Sequence, residues 1–424
     1  MSEKISLVDK KNYGQVKNWR WPKEGLTRIP DWVYTSDEIF KRERERIFFG
    51  PTWNFVALEA EIPKPGSYKR SYVGDVPVIV SRTAENAIHV FENRCAHRGL
   101  EFCRALRGEA KEFICPYHHW TYNMAGTLVS VPFRRGDKGK GGMPDHFEMS
   151  EHNPRQLKVE TRHGVVFATF EEKIESLEDY LGPENLEHFD VVFADRKLRI
   201  LGFYRNRLKG NWKLYHENLK DPYHATLLHV YLATFRMMVA GQKSAMIVDA
   251  TGRHATAASA KDDNIKINKE MVEEMKGAFR VGMDLNDPDF TRYVPEFDSP
   301  WTVTMQTIWP NLIVQRELNT LGIRHIVPRG PHELDMYWTM FGYEDDDEKM
   351  VRHRMKQGNL MGPSGYLGVD DNEAIRFLQD GFKRSISGEG IVMLDPDHEG
   401  STDTLISEAS IRSLYRHYRE VMDL

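Results

Sequence analysis

Cysteine is scarce in this chain: 424 residues contain only Cys95, Cys103 and Cys115. So few thiols make a disulfide framework improbable and suit a reducing compartment. Long apolar runs are missing too. No stretch of about 18 residues is free of charged and polar side chains, so no membrane span is expected. The most apolar segment, 223–240, contains His224, His229 and Arg236. The opening residues MSEKISLVDKKNYG lack the apolar core of a signal peptide, and a cytoplasmic location is expected. An excess of one charge sign is absent: 58 basic and 63 acidic side chains leave a formal charge of -5. That balance offers no basic face to nucleic acid or to an anionic membrane. A small acidic substrate would be held by local positive groups.

What is present suggests two or three domains. Residues 1–52 read as an N-terminal arm, with a charged helix over 37–48. From Trp53 the pattern turns β-rich. Short runs at 68–73, 78–80, 87–91 and 165–170 alternate with Gly, Pro and Asn turns, among them Gly74-Asp75. A small antiparallel β domain over 53–172 is expected, with a flexible Gly/Lys-rich loop at 134–143. Residues 173–424 mix both elements. Helices are expected over 212–228, with an interruption, and over 372–382 and 403–422; β-rich runs fall within 301–327. In the last helix Ile411, Leu414, Tyr415, Tyr418, Val421 and Met422 recur on one face. The fold class is α+β.

The β segment carries Cys95-Ala-His97-Arg98-Gly99 and, with seventeen residues between His97 and Cys115, Cys115-Pro116-Tyr-His118. An isolated Cys is usually a small buried hydrophobe. Two Cys-His pairs in one small domain point to a metal instead. Structural zinc sites take two Cys and two His, but usually with like ligands paired in sequence. Here each loop supplies one of each. A Rieske [2Fe–2S] cluster fits that alternation, with Cys95 and Cys115 on one iron and His97 and His118 on the other. Cys103 falls outside the pattern and reads as structural.

A second cluster reads Asn211-Trp212-Lys213, then Glu217-Asn218, Asp221-Pro222-Tyr223-His224 and His229. Five residues apart, the two histidines would sit about 140° apart on a regular helix. They can share a metal only if the helix is broken, and Pro222 favours a break. Two imidazoles and a carboxylate would leave open positions suited to non-haem Fe(II). The carboxylate candidates lie in Gly362-Pro-Ser-Gly365 and Asp370-Asp371-Asn372, where a side chain could equally cap a helix starting near Glu373.

These motifs, C-x-H-R-G with C-x-Y-H-x-W ending at Trp120, and D-x-x-H-x-x-x-x-H with a later Gly-Pro-x-Gly…Asp-Asp, resemble the large subunits of Rieske non-haem iron ring-hydroxylating oxygenases. The resemblance spans nearly the whole chain. It implies a Rieske domain joined to a helix-grip, START-like catalytic domain with a central antiparallel sheet. It implies His224, His229 and Asp371 as iron ligands, Asn218 near the iron, and Asp221 as a bridge to His118 of a neighbouring subunit. It also implies dioxygen as co-substrate, with electrons drawn from NAD(P)H through a reductase and a ferredoxin. The expected assembly is trimer-based, α3 or α3β3 with a small β subunit. The stretches 91–99, 141–144 and 211–229 are closer to the large subunits that act on salicylate, anthranilate, halobenzoate or terephthalate. An aromatic carboxylate is therefore the expected substrate, with one- or two-oxygen insertion left open. The alternatives are a demethylating Rieske monooxygenase, a Rieske electron carrier and a zinc-stabilised helix-grip binding module.

For the substrate carboxylate, Arg316 is the first candidate and Arg324 the second. A strand over 311–318 would place Leu312, Val314, Arg316 and Leu318 on one side. An inward guanidinium on that apolar side calls for an anion.

Overall fold

The computed structural model describes residues 19–239, 241–262, 269–275, 278–280 and 282–424. Residues 1–18 of the expected arm lie outside them. The rest of the arm is helical at Asp37–Glu43, capped by Ser36, whose side chain accepts from Ile39 N. A π turn, Arg44–Phe48, follows.

Besides the three-stranded sheet of Asn54–Leu58, Val165–Thr169 and Lys158–Arg162, the β-rich segment forms two small antiparallel sheets. One contains Ser67–Val73, Val76–Arg82, Ile88–Glu92 and Arg107–Glu109. The other contains Glu112–Ile114, Thr121–Asn123 and Leu128–Ser130. Gly74, at φ 57°, makes the turn between the first two strands, as the Gly-Asp pair suggested. The loop expected to be flexible at 134–143 closes on itself: Asp137 and Lys140 exchange backbone hydrogen bonds of 3.0 Å, and Met143 N donates to Arg134 O at 2.9 Å.

Beyond it lies a seven-stranded antiparallel sheet. Its spatial order is Leu198–Leu208, Leu334–Tyr343, Thr320–Pro328, Leu312–Glu317, Val303–Ile308, Ala255–Ser259 and Ser244–Val248. Both faces are covered. On one, Ile313, Met305 and Trp338 pack with Trp212, Leu214, Tyr415 and arm residues such as Val33 and Phe48. On the other, Leu312, Val314, Leu321 and Ile323 pack with Tyr180, Phe189 and the Asn54–Leu58 and Val165–Thr169 strands. The α+β class with a central antiparallel sheet is as expected. Two helix boundaries differ. The helix expected from 403 is Ala409–Met422, and the one expected from 372 is Tyr366–Arg384, capped by Gly365. Asp370, Asp371 and Asn372 therefore lie inside a helix, and the capping alternative for them is wrong. Among the described residues, no helix is long and apolar enough to cross a membrane.

Candidate metal centres and substrate cavity

The two Cys-His loops meet at one end of the small β domain. In the first, Cys95 N donates to Leu100 O and Gly99 N to Cys95 O, both at 2.8 Å, with Gly99 at φ 75°. In the second, Cys115 N donates to Trp120 O and His119 N to Cys115 O, both at 2.9 Å. Cys95 and Cys115 are buried, whereas His97 and His118 are exposed. The imidazole centroids stand 4.4 Å apart, and His97 stacks on Trp120 at 4.9 Å. Burial pushes the Cys115 thiol up. A thiolate there needs a cation, and a metal supplies one. Tyr122 donates its hydroxyl to Cys95 Sγ at 3.3 Å, the kind of bond that tunes a cluster's potential. Two buried thiols and two exposed imidazoles fit a cluster with one inner and one outer iron. Cys103 is buried nearby, its backbone N–H donating to Asn93 Oδ1 at 3.0 Å, as a structural residue would.

The second site is built by a broken helix. Trp212–Lys220 stops at Asp221, whose backbone (φ -107°, ψ 84°) is not helical. Pro222–Leu228 restarts with Pro222 in its first turn and Asp221 as cap. It ends at His229, again non-helical. The breaks remove the angular separation of a regular helix and turn His224 and His229 toward one point. Asp371 comes to that point from Tyr366–Arg384. Its Oδ1 lies 3.5 Å from His224 Nε2 and 3.2 Å from His229 Nε2. One ligand atom from each of the three residues falls within 4.8 Å of the others. The two long helices are locked together because Asn211 N donates to Gln379 Oε1 at 2.7 Å. Burial pushes the Asp371 carboxyl up, but hydrogen bonds from His224 and His229, with their charge, hold it well below the usual range.

The other nitrogens of the two rings are held as well. His224 Nδ1 meets the backbone oxygen of Asp221, and His229 Nδ1 lies 3.3 Å from Asp370 Oδ2. Asn218 Nδ2 donates to Asp371 Oδ1 at 3.1 Å and lies 3.2 Å from His224 Nε2. Outer contacts of this kind orient metal ligands. The role of Asp370 went unread in the sequence, since its contact with His229 spans 141 residues.

The triad opens on a cavity walled by Leu232, Met238, Ala257, Val303 and Met305, with Glu317 also on its wall. Cross-strand pairing of Gln315 with Gly322 and of Ile313 with Arg324 puts Gln315, Glu317 and Arg324 on this face. Arg316 pairs with Leu321 and points to the opposite face. There its Nε donates to Thr304 Oγ1 at 3.1 Å and its Nη2 to Ser299 Oγ at 3.0 Å. Arg316 as first carboxylate candidate is therefore corrected: the strand is buried on both faces, so an apolar side did not identify the cavity side. Arg324 is on the cavity face. It stacks over Trp338 at 4.1 Å and donates through Nη1 to Tyr215 Oη at 2.9 Å, while its buried Nη2 has no hydrogen-bond partner among the described residues.

Residues 52–139 match the Rieske [2Fe-2S] domain family, and residues 187–424 match the family described as the ring hydroxylating alpha subunit catalytic domain. The chain belongs to the ring-hydroxylating oxygenase alpha-subunit family. It is 45% identical over 411 residues to the large oxygenase component of salicylate 5-hydroxylase from Ralstonia sp, covering 95% of this chain and 96% of that one. It is 40% identical to the anthranilate 1,2-dioxygenase large subunit of Burkholderia cepacia, covering 95% of each. The naphthalene 1,2-dioxygenase of Rhodococcus sp., solved with indole bound, superposes with a TM-score of 0.75 at 25% identity, covering 93% of this chain and 94% of that one. This ring-hydroxylating alpha subunit is thus a Rieske oxygenase. The carrier and zinc-module alternatives fall, because a ring-hydroxylating catalytic domain accompanies the Rieske domain.

Proposed function

We propose that this alpha subunit hydroxylates an aromatic carboxylate of the salicylate or anthranilate type in the cytoplasm, with electrons delivered from NAD(P)H through a reductase and a ferredoxin. The carrying observation is the triad of His224, His229 and Asp371 opening onto an apolar cavity, with an incompletely partnered arginine buried on the same face of the sheet. Relatives named for salicylate and anthranilate support the acid class. His224, His229 and Asp371 hold the mononuclear iron, and Cys95, His97, Cys115 and His118 hold the cluster. When bound, the cluster passes single electrons and the mononuclear iron activates dioxygen. The chain's residues do the rest. The apolar wall keeps water from the arene, Asn218 orients Asp371 and His224, and Arg324 Nη2 takes the substrate carboxylate.

The assembly we propose is a head-to-tail trimer, α3 or α3β3, with domains dividing at 53–172 and 173–424. Asp221 and His224 line a surface opening together with Leu378 and Ile391. Ile391 and Phe377 are exposed near it, and on the Rieske domain Tyr117, beside His118, and Phe133 are exposed. Seating one subunit's Rieske domain over its neighbour's opening would cover both apolar surfaces and bring His118 to Asp221.

The anchor is tested by steady-state kinetics. Arg324→Met is expected to raise KM for substituted benzoates by about tenfold or more, the loss expected for a charge-assisted pair. Arg316→Met should leave KM unchanged. If both variants keep wild-type KM and neutral arenes are turned over equally well, the aromatic-acid reading fails. Product analysis separates hydroxylation from demethylation.

A further inference from the structure

Apart from the metal ligands, Asn218 and Asp221, the cavity wall carries a single ionisable group, Glu317. It is 5% exposed and ends the Leu312–Glu317 strand. Among the described residues, its carboxylate accepts one hydrogen bond, from Gln315 Nε2 to Oε2. A carboxylate offers about four acceptor positions, so most of its capacity is unused, which is costly in an apolar chamber. Two buried donors are also without partners among the described residues: Arg324 Nη2 and the hydroxyl of Tyr231. Gln315 links Arg324 to Glu317: its Oε1 accepts from Arg324 Nε at 3.4 Å, and its Nε2 donates to Glu317. An unsaturated acceptor on the cavity wall is thus linked through Gln315 to Arg324, which lies on the same face of the sheet and keeps an unsatisfied donor. The complementary ligand carries an anionic acceptor and a hydrogen-bond donor side by side.

We propose that Glu317 selects the substrate by accepting a hydrogen bond from a ring hydroxyl or amino group next to the carboxylate that Arg324 holds. The proposal rests on the aromatic-acid reading and narrows it to donor-bearing acids. An acid without the donor leaves a buried carboxylate facing an apolar ring edge. Sites built to bond a polar group reject analogues lacking it far more strongly than apolar pockets sort by size. Arg324 alone would hold any benzoate.

The test uses the assembled, metal-loaded oxygenase with its electron donors. It compares 2-hydroxybenzoate, 2-aminobenzoate, benzoate, phenol and benzene by calorimetric binding and by kcat/KM, in wild type, Glu317→Leu and Glu317→Gln. Wild type is expected to bind the two donor-bearing acids about tenfold or more tighter than benzoate. Glu317→Leu should bring them within about threefold of benzoate while benzoate itself changes little, and Glu317→Gln, which keeps an acceptor oxygen, should retain most of the preference. Absence of a wild-type preference overturns the proposal, even if Glu317→Leu does not fold. So does a variant that weakens benzoate and 2-hydroxybenzoate equally, or one that leaves the preference intact. If phenol is preferred over benzene through Glu317 but acids gain nothing over neutral arenes, the aromatic-acid reading falls and the role of Glu317 stands.

Discussion

Asp221 grips His224 twice. Its carboxylate Oδ1 accepts from His224 N at 3.1 Å, and its backbone oxygen meets His224 Nδ1. Asp221→Ala removes the carboxylate, whose Oδ2 also stands 3.7 Å from His224 Nδ1, but leaves the backbone oxygen that holds the imidazole's orientation. Loss of the cap costs about 1 kcal/mol. The variant is expected to retain about three irons per chain and the Rieske absorbance, but to lose about 100-fold in turnover. Iron analysis with single-turnover assays checks this, and normal rates would refute the bridging role. Glu217 offers a second test. Burial pushes its carboxyl up to about 7 against hydrogen bonds from Tyr415 and Tyr34 and the charge of Lys213. The folded state then holds this proton more tightly than the unfolded chain, where the usual value is about 4.3. The linked stability is full below about pH 4.3 and is lost as pH rises through about 7. Glu217→Gln lacks this dependence, so it should gain on wild type between about pH 5 and about pH 7.5 in urea unfolding. A parallel pH dependence in both proteins would rule out Glu217 as the source.

Three elements far apart in sequence converge on Glu43, at the end of the arm helix. The carboxylate is fully buried and accepts from Trp212 Nε1 at 2.9 Å, Lys213 Nζ at 2.6 Å and Tyr418 Oη at 2.7 Å. It thereby joins the arm, the Trp212–Lys220 helix that carries Asn218, and the Ala409–Met422 helix. Glu43→Ala strands a buried ammonium and is expected to cost about 3–5 kcal/mol, read as a lower thermal midpoint. The pair Glu43→Leu with Lys213→Met should recover most of it, because the desolvation cost goes with the charge. Elements of this kind were legible in outline. The break at Pro222 followed from its missing N–H, while the early start of Tyr366–Arg384 did not, because Gly362-Pro-Ser-Gly365 reads as a loop. Gly365 is there because a Cβ would lie 1.9 Å from Leu360 O.

At the scale of the whole molecule, the exposed cluster histidines and the half-open Asp221 site call for a partner. His118→Ala and His224→Ala are each expected to be inactive alone. Co-assembled, they should recover measurable turnover, since an intact His118 on one subunit then faces an intact His224 on its neighbour. Sedimentation should show a trimer. No recovery in verified mixed trimers, or a fully active monomer, would end the cross-subunit arrangement.

The chemistry of this alpha subunit was largely written in local sequence. The alternating Cys-His pairs put Cys95, His97, Cys115 and His118 forward as proposed metal ligands without a fold, while His224 and His229 needed the family pattern, because their spacing alone suits a metal only on a broken helix. Asp371 needed the family pattern to separate it from Asp370, and the helix then set Asp371 against both Nε2 atoms while Asp370 met His229 Nδ1. What only the tertiary structure decided was the side of the sheet on which the cavity lies. The Leu312–Glu317 strand is central and covered on both faces, so alternation of apolar and polar residues carries no inside or outside. Ile313, Gln315 and Glu317 lie on the other side from Leu312, Val314 and Arg316, and it is on their side that Glu317 reaches the cavity at the triad. Arg316 read as the anion holder, yet it lies on the opposite face of the sheet, where it donates to Thr304 and Ser299.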